Sequence, residues 1–164
     1  MIVALFEDER YVDLLPLVYA RPTFNLKTGI KNLSERIESY FKDSRETLFV
    51  RDYLTDQVKA EYKCPVNEPD EIDEDVLFLN GSLIMSNDLY RLVTSKLSGD
   101  VVATTNGKVI AVHLSERKAV EFAEKLKGKP LSRSMLKDSS LKEIKLTVVL
   151  TINYPWDLIS LNSR

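Results

Sequence analysis

Short apolar runs alternate with segments of helical periodicity along most of the chain, and that alternation predicts the architecture. Ile2 to Phe6 is an apolar, partly β-branched run, as expected of a strand buried on both faces of a parallel sheet. ETLFVR reads as a second strand and VLFLN, residues 76 to 80, as a third, the latter ending at Asn80-Gly81, where the chain turns. Between the first two, Ile30, Leu33, Ile37, Tyr40 and Phe41 recur at helical spacing after Gly29, predicting an amphipathic helix with Thr28 as its N-cap. DYLTDQVKAEY predicts another helix, opened by Asp52, and the acidic, proline-bearing CPVNEPDEIDED a solvated connection. Strand, helix, strand, helix, strand is the pattern of right-handed βαβ units, so an open α/β layer fold is expected.

The second half makes the sheet mixed. SNDLYRLVTSKL predicts a helix capped by Ser86 or Asn87, and DVVATTNGKVIAVHL predicts two strands joined at Asn106-Gly107, a strong hairpin signal. Ala119, Phe122, Ala123 and Leu126 place an apolar stripe on a helix ending near Gly128. KLTVVLTI predicts a late strand, and YPWDLISLN a terminal helix starting at Pro155. Glu7 to Thr28, with Pro16 and Pro22, shows no sustained period and reads as a long loop holding at most one short helical turn. The expected class is therefore α/β: a three-layer, Rossmann-like open mixed sheet, mostly parallel, in a single domain over residues 1–164.

Composition changes this picture little. An apolar fraction of 44% and a charged fraction of 29% suit an ordinary globular domain. Lysine plus arginine total 23 against 25 acidic residues, a net charge of -2, so there is no overall basic field for nucleic acid and no nucleic-acid partner is expected. A small anion such as a nucleotide needs only a few placed cations and N–H groups. Cys64 and His113 are single residues of their kinds, which excludes a disulfide framework or a Cys/His zinc site within one chain. Both read as structural. The start, MIVALFEDER, has no basic leader, and no apolar run has bilayer-spanning length, so a cytoplasmic location without a membrane partner is the expectation.

Three segments carry a resemblance. LLPLVYARPTFNLKTGIKNLSERI (residues 14 to 37), VLFLNGSLI and INYPWDLISLN stand in the order and spacing of segments found in sugar nucleotidyltransferases. The chain resembles that family, and within it a compact variant found as the N-terminal part of alternative bifunctional enzymes making UDP-N-acetylglucosamine (N-acetylglucosamine-1-phosphate uridyltransferase/glucosamine-1-phosphate acetyltransferase proteins). The resemblance implies an abbreviated nucleotide-diphospho-sugar transferase-like fold. It also implies transfer of a nucleoside monophosphate from a nucleoside triphosphate to a sugar 1-phosphate, with Mg²⁺ as cofactor. In such proteins the chain continues into a β-helix acyltransferase domain; this one stops at LNSR, as an excised domain or a stand-alone form would.

Carried over residue by residue, the resemblance assigns phosphate contacts and catalysis to Arg21 and Lys27, and nucleotide binding to Phe6, Glu7, Asp8, Arg21, Asn80 and Gly81. Arg21 and Asn80 also follow predicted strand ends, the edge where open α/β sheets bind nucleotides. Several family features are missing. EDERYVD holds no glycine, Thr23 stands where the family has a lysine, and Ser82 and Thr151 occupy its two metal-binding positions. Asp8 and Asp157 are candidate metal ligands in a rearranged site, with Glu7, Asp13 and Asp88 as further carboxylates; each also reads as ordinary surface charge. Trp156 reads as a packing anchor rather than a base-stacking platform. The alternative function is an inactive relative that senses a nucleotide or serves as an interaction module for the acyltransferase.

Overall fold

Five apolar residues at the start of the chain become an interior strand, because every one of them can be buried on either side of a sheet. The computed structural model describes residues 1–136, 141–147 and 149–161. Its elements are β1 (Ile2–Phe6), β2 (Lys27–Thr28), β3 (Lys31–Asn32), α1 (Leu33–Glu38), β4 (Arg45–Phe49), α2 (Thr55–Glu61), β5 (Val76–Asn80), α3 (Asn87–Lys96), β6 (Val101–Thr105), β7 (Lys108–Leu114), α4 (Glu116–Leu126), β8 (Lys142–Lys145) and α5 (Asp157–Ser160). The main sheet has the order β4-β1-β5-β7-β6-β8, and β2 and β3 form a separate ribbon. Pairing is parallel for β1 with β4, β1 with β5 and β6 with β8, while β7 runs antiparallel to both its neighbours. The result is the expected mixed, mostly parallel α/β sheet.

Strand periodicity divides the core into two layers. Val3 and Leu5 point to the side where Leu33, Ile37, Val58, Leu89 and Val93 from α1, α2 and α3 are buried. Ile2, Ala4 and Phe6 point to the other, against Phe78, Phe122 and Leu126, with α4 as the cover. Phe78 and Phe122 meet edge to face at 4.9 Å, a geometry that the aromatic quadrupoles favour. Helices on both faces of one sheet complete three layers.

Local chemistry explains where elements start. Ser86 caps α3 by accepting from the Leu89 N–H, and Asn106 and Gly107, at φ 48° and 75°, turn the β6–β7 hairpin as their pairing predicts. The first helix begins later than its apolar spacing suggests. Thr28 belongs to β2, Ile30 is 96% exposed, and Asn32 and Glu35 form a reciprocal capping box that starts α1 at Leu33. Similarly, Asp52 opens a 3₁₀ turn (Asp52–Leu54) that leads into α2, without a side-chain cap.

Three other expectations need correction. The segment after β1 holds two 3₁₀ helices, Glu9–Leu14 and Thr23–Asn25, where at most one turn was expected. The late strand is β8, N-terminal to most of KLTVVLTI: as the edge of the sheet it is half solvated, so its sequence KEIK is polar and lacks the apolar signature. Thr151 only bridges Leu83, and Val148 lies outside the described residues. The terminal helix is the single turn α5, opening at Asp157 rather than Pro155. Residues 162–164 of the LNSR ending lie outside the described residues.

Candidate functional site

Consecutive carboxylates leave the end of β1 in opposite directions. Glu7 follows the face of Val3 and Leu5 inward. Its carboxylate accepts from Arg51 Nε at 3.0 Å and Nη2 at 3.2 Å, and from the Thr23 N–H at 2.8 Å and hydroxyl at 3.0 Å. The two charged side chains are 1% and 4% exposed. Arg51 Nη2 also donates to the carbonyls of Val18 (2.7 Å) and Arg21 (2.9 Å), and Nη1 meets the Tyr53 hydroxyl. The guanidinium lies 4.2 Å from the Tyr11 ring centroid. Burying two charges costs several kcal/mol each unless every donor and lone pair is matched. Here they are matched, and the matching groups come from the long loop, which is thereby pinned across the ends of β1 and β4.

Asp8 turns the other way, towards an open cleft. Its Oδ1 accepts from the Arg10 N–H at 3.1 Å, capping the first 3₁₀ helix, and its Oδ2 accepts from Asn80 Nδ2 at 2.8 Å. Asn80 ends β5; the same Nδ2 donates to the Val109 carbonyl at 2.9 Å, and its Oδ1 accepts from the Ser82 N–H (2.9 Å) and hydroxyl (2.7 Å). On the far side of Asp8 Oδ2, at 3.8 Å, is the ammonium of Lys108, which donates to Asn153 Oδ1 at 3.1 Å. The Lys108 side chain is only 5% exposed. Desolvation pulls its pKa below the usual lysine range, and Asp8 opposes that shift. Asp157 Oδ2 accepts from the backbone N–H groups of Asn153 (2.8 Å) and Tyr154 (3.0 Å), fixing the segment that presents Asn153.

Lys108, Asn153 and Asp157 line a cleft of about 450 Å³ whose walls also include Arg10, Asp13 and Asn106. A smaller cleft of about 210 Å³, bordered by Asp8, Arg10, Lys108 and Arg133, adjoins it. Both open at the edge where β1 and β5 end and the antiparallel β7 begins. Ligands bind open α/β sheets at such an edge.

Each residue assigned from sequence has a definite place. Asp8 and Asn80 are brought together by a hydrogen bond, while Asp8 borders the smaller cleft and Asp157 the larger. Phe6 is fully buried, and its carbonyl accepts from the Gly81 N–H at 2.8 Å. Gly81 lies under Phe24: an added Cβ would stand 3.0 Å from the Phe24 ring. Arg21 and Lys27 are exposed side chains and line neither cleft, although the Arg21 carbonyl is held by Arg51. Asp13 lines the larger cleft, and Asp88 lies in the first turn of α3. Among the described residues, no three of His, Cys, Asp and Glu gather as a metal-ligand cluster. Trp156 is no packing anchor: it is 61% exposed and stacks on Tyr154 at 4.8 Å, with only one turn of helix behind it to pack against. Cys64 is half-buried, and burial pushes its thiol up to about 12, which suits an unreactive role. His113 takes a structural contact with the Gly99 carbonyl at 2.8 Å.

Lys108, Arg51 and Asn153 were not singled out by sequence. Lys108 carries a usable signal: it is the first residue after the Asn-Gly turn, where a charged side chain at the head of a buried strand needs a partner or a purpose. Arg51 and Asn153 carry none that periodicity or spacing exposes.

A profile of the sugar nucleotidyl transferase family matches residues 3–164, and the chain belongs to that family. No curated protein matches the sequence. Among solved structures, a Bacillus anthracis protein assigned as glucose-1-phosphate thymidylyltransferase, in complex with a sucrose, is similar with a TM-score of 0.60 at 12% identity, over 99% of this chain and 93% of that one. The 4-diphosphocytidyl-2C-methyl-D-erythritol synthase of Anaerococcus prevotii gives 0.58 at 12% identity, over 99% and 97%. At such identity these likenesses establish the fold, a nucleotide-diphospho-sugar transferase-like sheet. Among the described residues, no helix is long and apolar enough to cross a membrane.

Proposed function

We propose that the chain is a sugar-1-phosphate nucleotidyltransferase whose reaction takes place at the edge formed by β1, β5 and β7. A sugar phosphate oxygen attacks the α-phosphorus of a nucleoside triphosphate, the bond to the β-phosphate breaks, and pyrophosphate leaves. Catalysis of this kind rests on positioning and charge neutralisation. The observation that carries the reading is the open cleft, of a size suited to a small ligand, into which family membership and strand topology converge and where the buried ammonium of Lys108 stands. Arg21, in the loop, and Lys27, in β2, are the cations that the resemblance assigns to the triphosphate and would act from outside both clefts; the Arg51 hydrogen bond to the Arg21 carbonyl would hold that part of the loop in place. A UDP-N-acetylglucosamine product, a cytoplasmic setting and a β-helix acyltransferase partner belong to the same reading through the family resemblance.

A second reading, nucleotide sensing without turnover, is favoured by one observation. Ser82, at a family metal position, is 2% exposed, and its hydroxyl is spent on Asn80. Incubation with each nucleoside triphosphate and a panel of sugar 1-phosphates, following pyrophosphate release beside an Arg21→Ala control, separates the two. Sugar-dependent release that falls in the variant supports transfer. Saturable nucleotide binding without release supports sensing, and neither binding nor release contradicts both.

A further inference from the structure

The resemblance implies Mg²⁺, and the residues in place fit it poorly. The two positions that would supply metal-binding carboxylates, Ser82 and Thr151, are neighbours across the Leu83–Thr151 bridge: the Ile152 N–H donates to the Ser82 carbonyl at 2.8 Å. Their hydroxyls are turned to carboxamides, Ser82 to Asn80 Oδ1 at 2.7 Å and Thr151 to Asn153 Oδ1 at 3.1 Å. Both carboxamides lead to Lys108: Asn153 Oδ1 accepts from its ammonium directly, and Asn80 Nδ2 binds the Asp8 oxygen that faces it at 3.8 Å. Of the candidate ligands, Asp8 already faces this cation, and Asp157 Oδ2 is taken by two backbone amides. A dication placed among these groups would meet a buried positive charge at short range, in surroundings where charge interactions are poorly screened.

Building on the nucleotidyltransferase reading, we infer that Lys108 is a built-in cation standing where a divalent ion would otherwise serve, so that the cleft holds a phosphate-bearing ligand without a metal. Three features support it. The ammonium has three donors, and Asn153 and Asp8 account for two directions, leaving capacity for a ligand oxygen. Lys108 and Arg10 line both clefts and Arg133 the smaller one, so three cations face the smaller cleft against the carboxylates of Asp8 and Glu9, while Asp13 and Asp157 border the larger. Finally, the ammonium is positioned before any ligand arrives, since Asp8 is itself fixed by the Arg10 N–H and Asn80, and Asn153 by the Asp157 cap. A preorganised charge loses little entropy on binding.

Calorimetric titration of the full chain with inorganic pyrophosphate and with each ribonucleoside triphosphate, in EDTA and in Mg²⁺, tests this. Binding in EDTA should persist, and Lys108→Met should weaken it by about tenfold or more, the scale of one charge-assisted contact, while Lys108→Arg retains part of it. The wild-type EDTA titration stands even if a variant fails to fold. Binding by wild type only in Mg²⁺ would overturn the inference and leave the nucleotidyltransferase reading in place. Equal binding by a folded Lys108→Met protein in EDTA would also overturn it. No binding of any probe under either condition would remove the parent reading itself.

Discussion

Glu7 and Asp8 are adjacent in sequence, equal in charge and opposite in use. Glu7 is sealed with Arg51 under the long loop, every oxygen engaged. Asp8 faces Lys108 across the head of an open cleft. The alternation of side chains at the end of β1 is enough to send one inward and the other towards solvent. The contrast teaches that buried charge near a candidate site has two meanings. Where all partners are protein groups the charge braces the scaffold, and where a donor direction opens into a cavity it is available to a ligand.

The contrast breaks most visibly if the strut is removed. Arg51→Met strands a buried Glu7 carboxylate and should cost about 3–5 kcal/mol in denaturant unfolding; a loss near zero would show that the loop needs no brace. Gly81→Ala strikes the joint between the regions, where the turn after Asn80 packs under Phe24 of the braced loop. Overpacking there should cost about 1–3 kcal/mol, read as a lower melting temperature.

A third carboxylate sharpens the comparison, because it is partly buried beside a like charge instead of a cation. Desolvation and then Glu38 push the Glu46 carboxyl up to about 8 from 4.5. The folded protein therefore keeps a proton that the unfolded chain releases between those values, so the contribution of Glu46 to stability is full below pH 4.5 and is lost as pH rises towards 8. Glu46→Gln should flatten that slope and gain about 1–2 kcal/mol at pH 8. A wild-type stability that rises steadily across this window would contradict the assignment. The smallest stability effect belongs to Lys108→Met. Asp8 is 14% exposed and keeps the Arg10 N–H and Asn80 as partners, so the loss should be about 1 kcal/mol, that of a solvent-reached pair rather than a sealed one. A loss as large as that of Arg51→Met would place Lys108 with the scaffold.

The sheet was legible in the sequence because its interior strands are mainly apolar and β1 and β5 carry unbroken apolar runs, and α3 because Ser86 is a recognisable cap. What escaped is physically coherent. β8 is an edge strand with a polar sequence, and the cap at Asn32 was hidden by an apolar Ile30 that falls by chance on the helical period. In the site, Asn80 was named for following a strand end and Asp8 through the resemblance, whereas Arg21, named on the same ground as Asn80, lines neither cleft. Lys108 was not named, because β7 runs antiparallel and delivers its first residue, rather than its last, to the edge where the other strands finish. Neither the Glu7–Arg51 strut nor the Lys108–Asn153 contact, which link residues 44 and 45 positions apart, leaves a local trace.

Trp156 is the single tryptophan of the chain and stacks on Tyr154, which lines the larger cleft, so its fluorescence reports on that site. Titrating wild type and Lys108→Met with nucleoside triphosphates in EDTA should give a saturable change in the first that is lost or shifted about tenfold in the second. Superimposable curves from the two folded proteins would contradict the account.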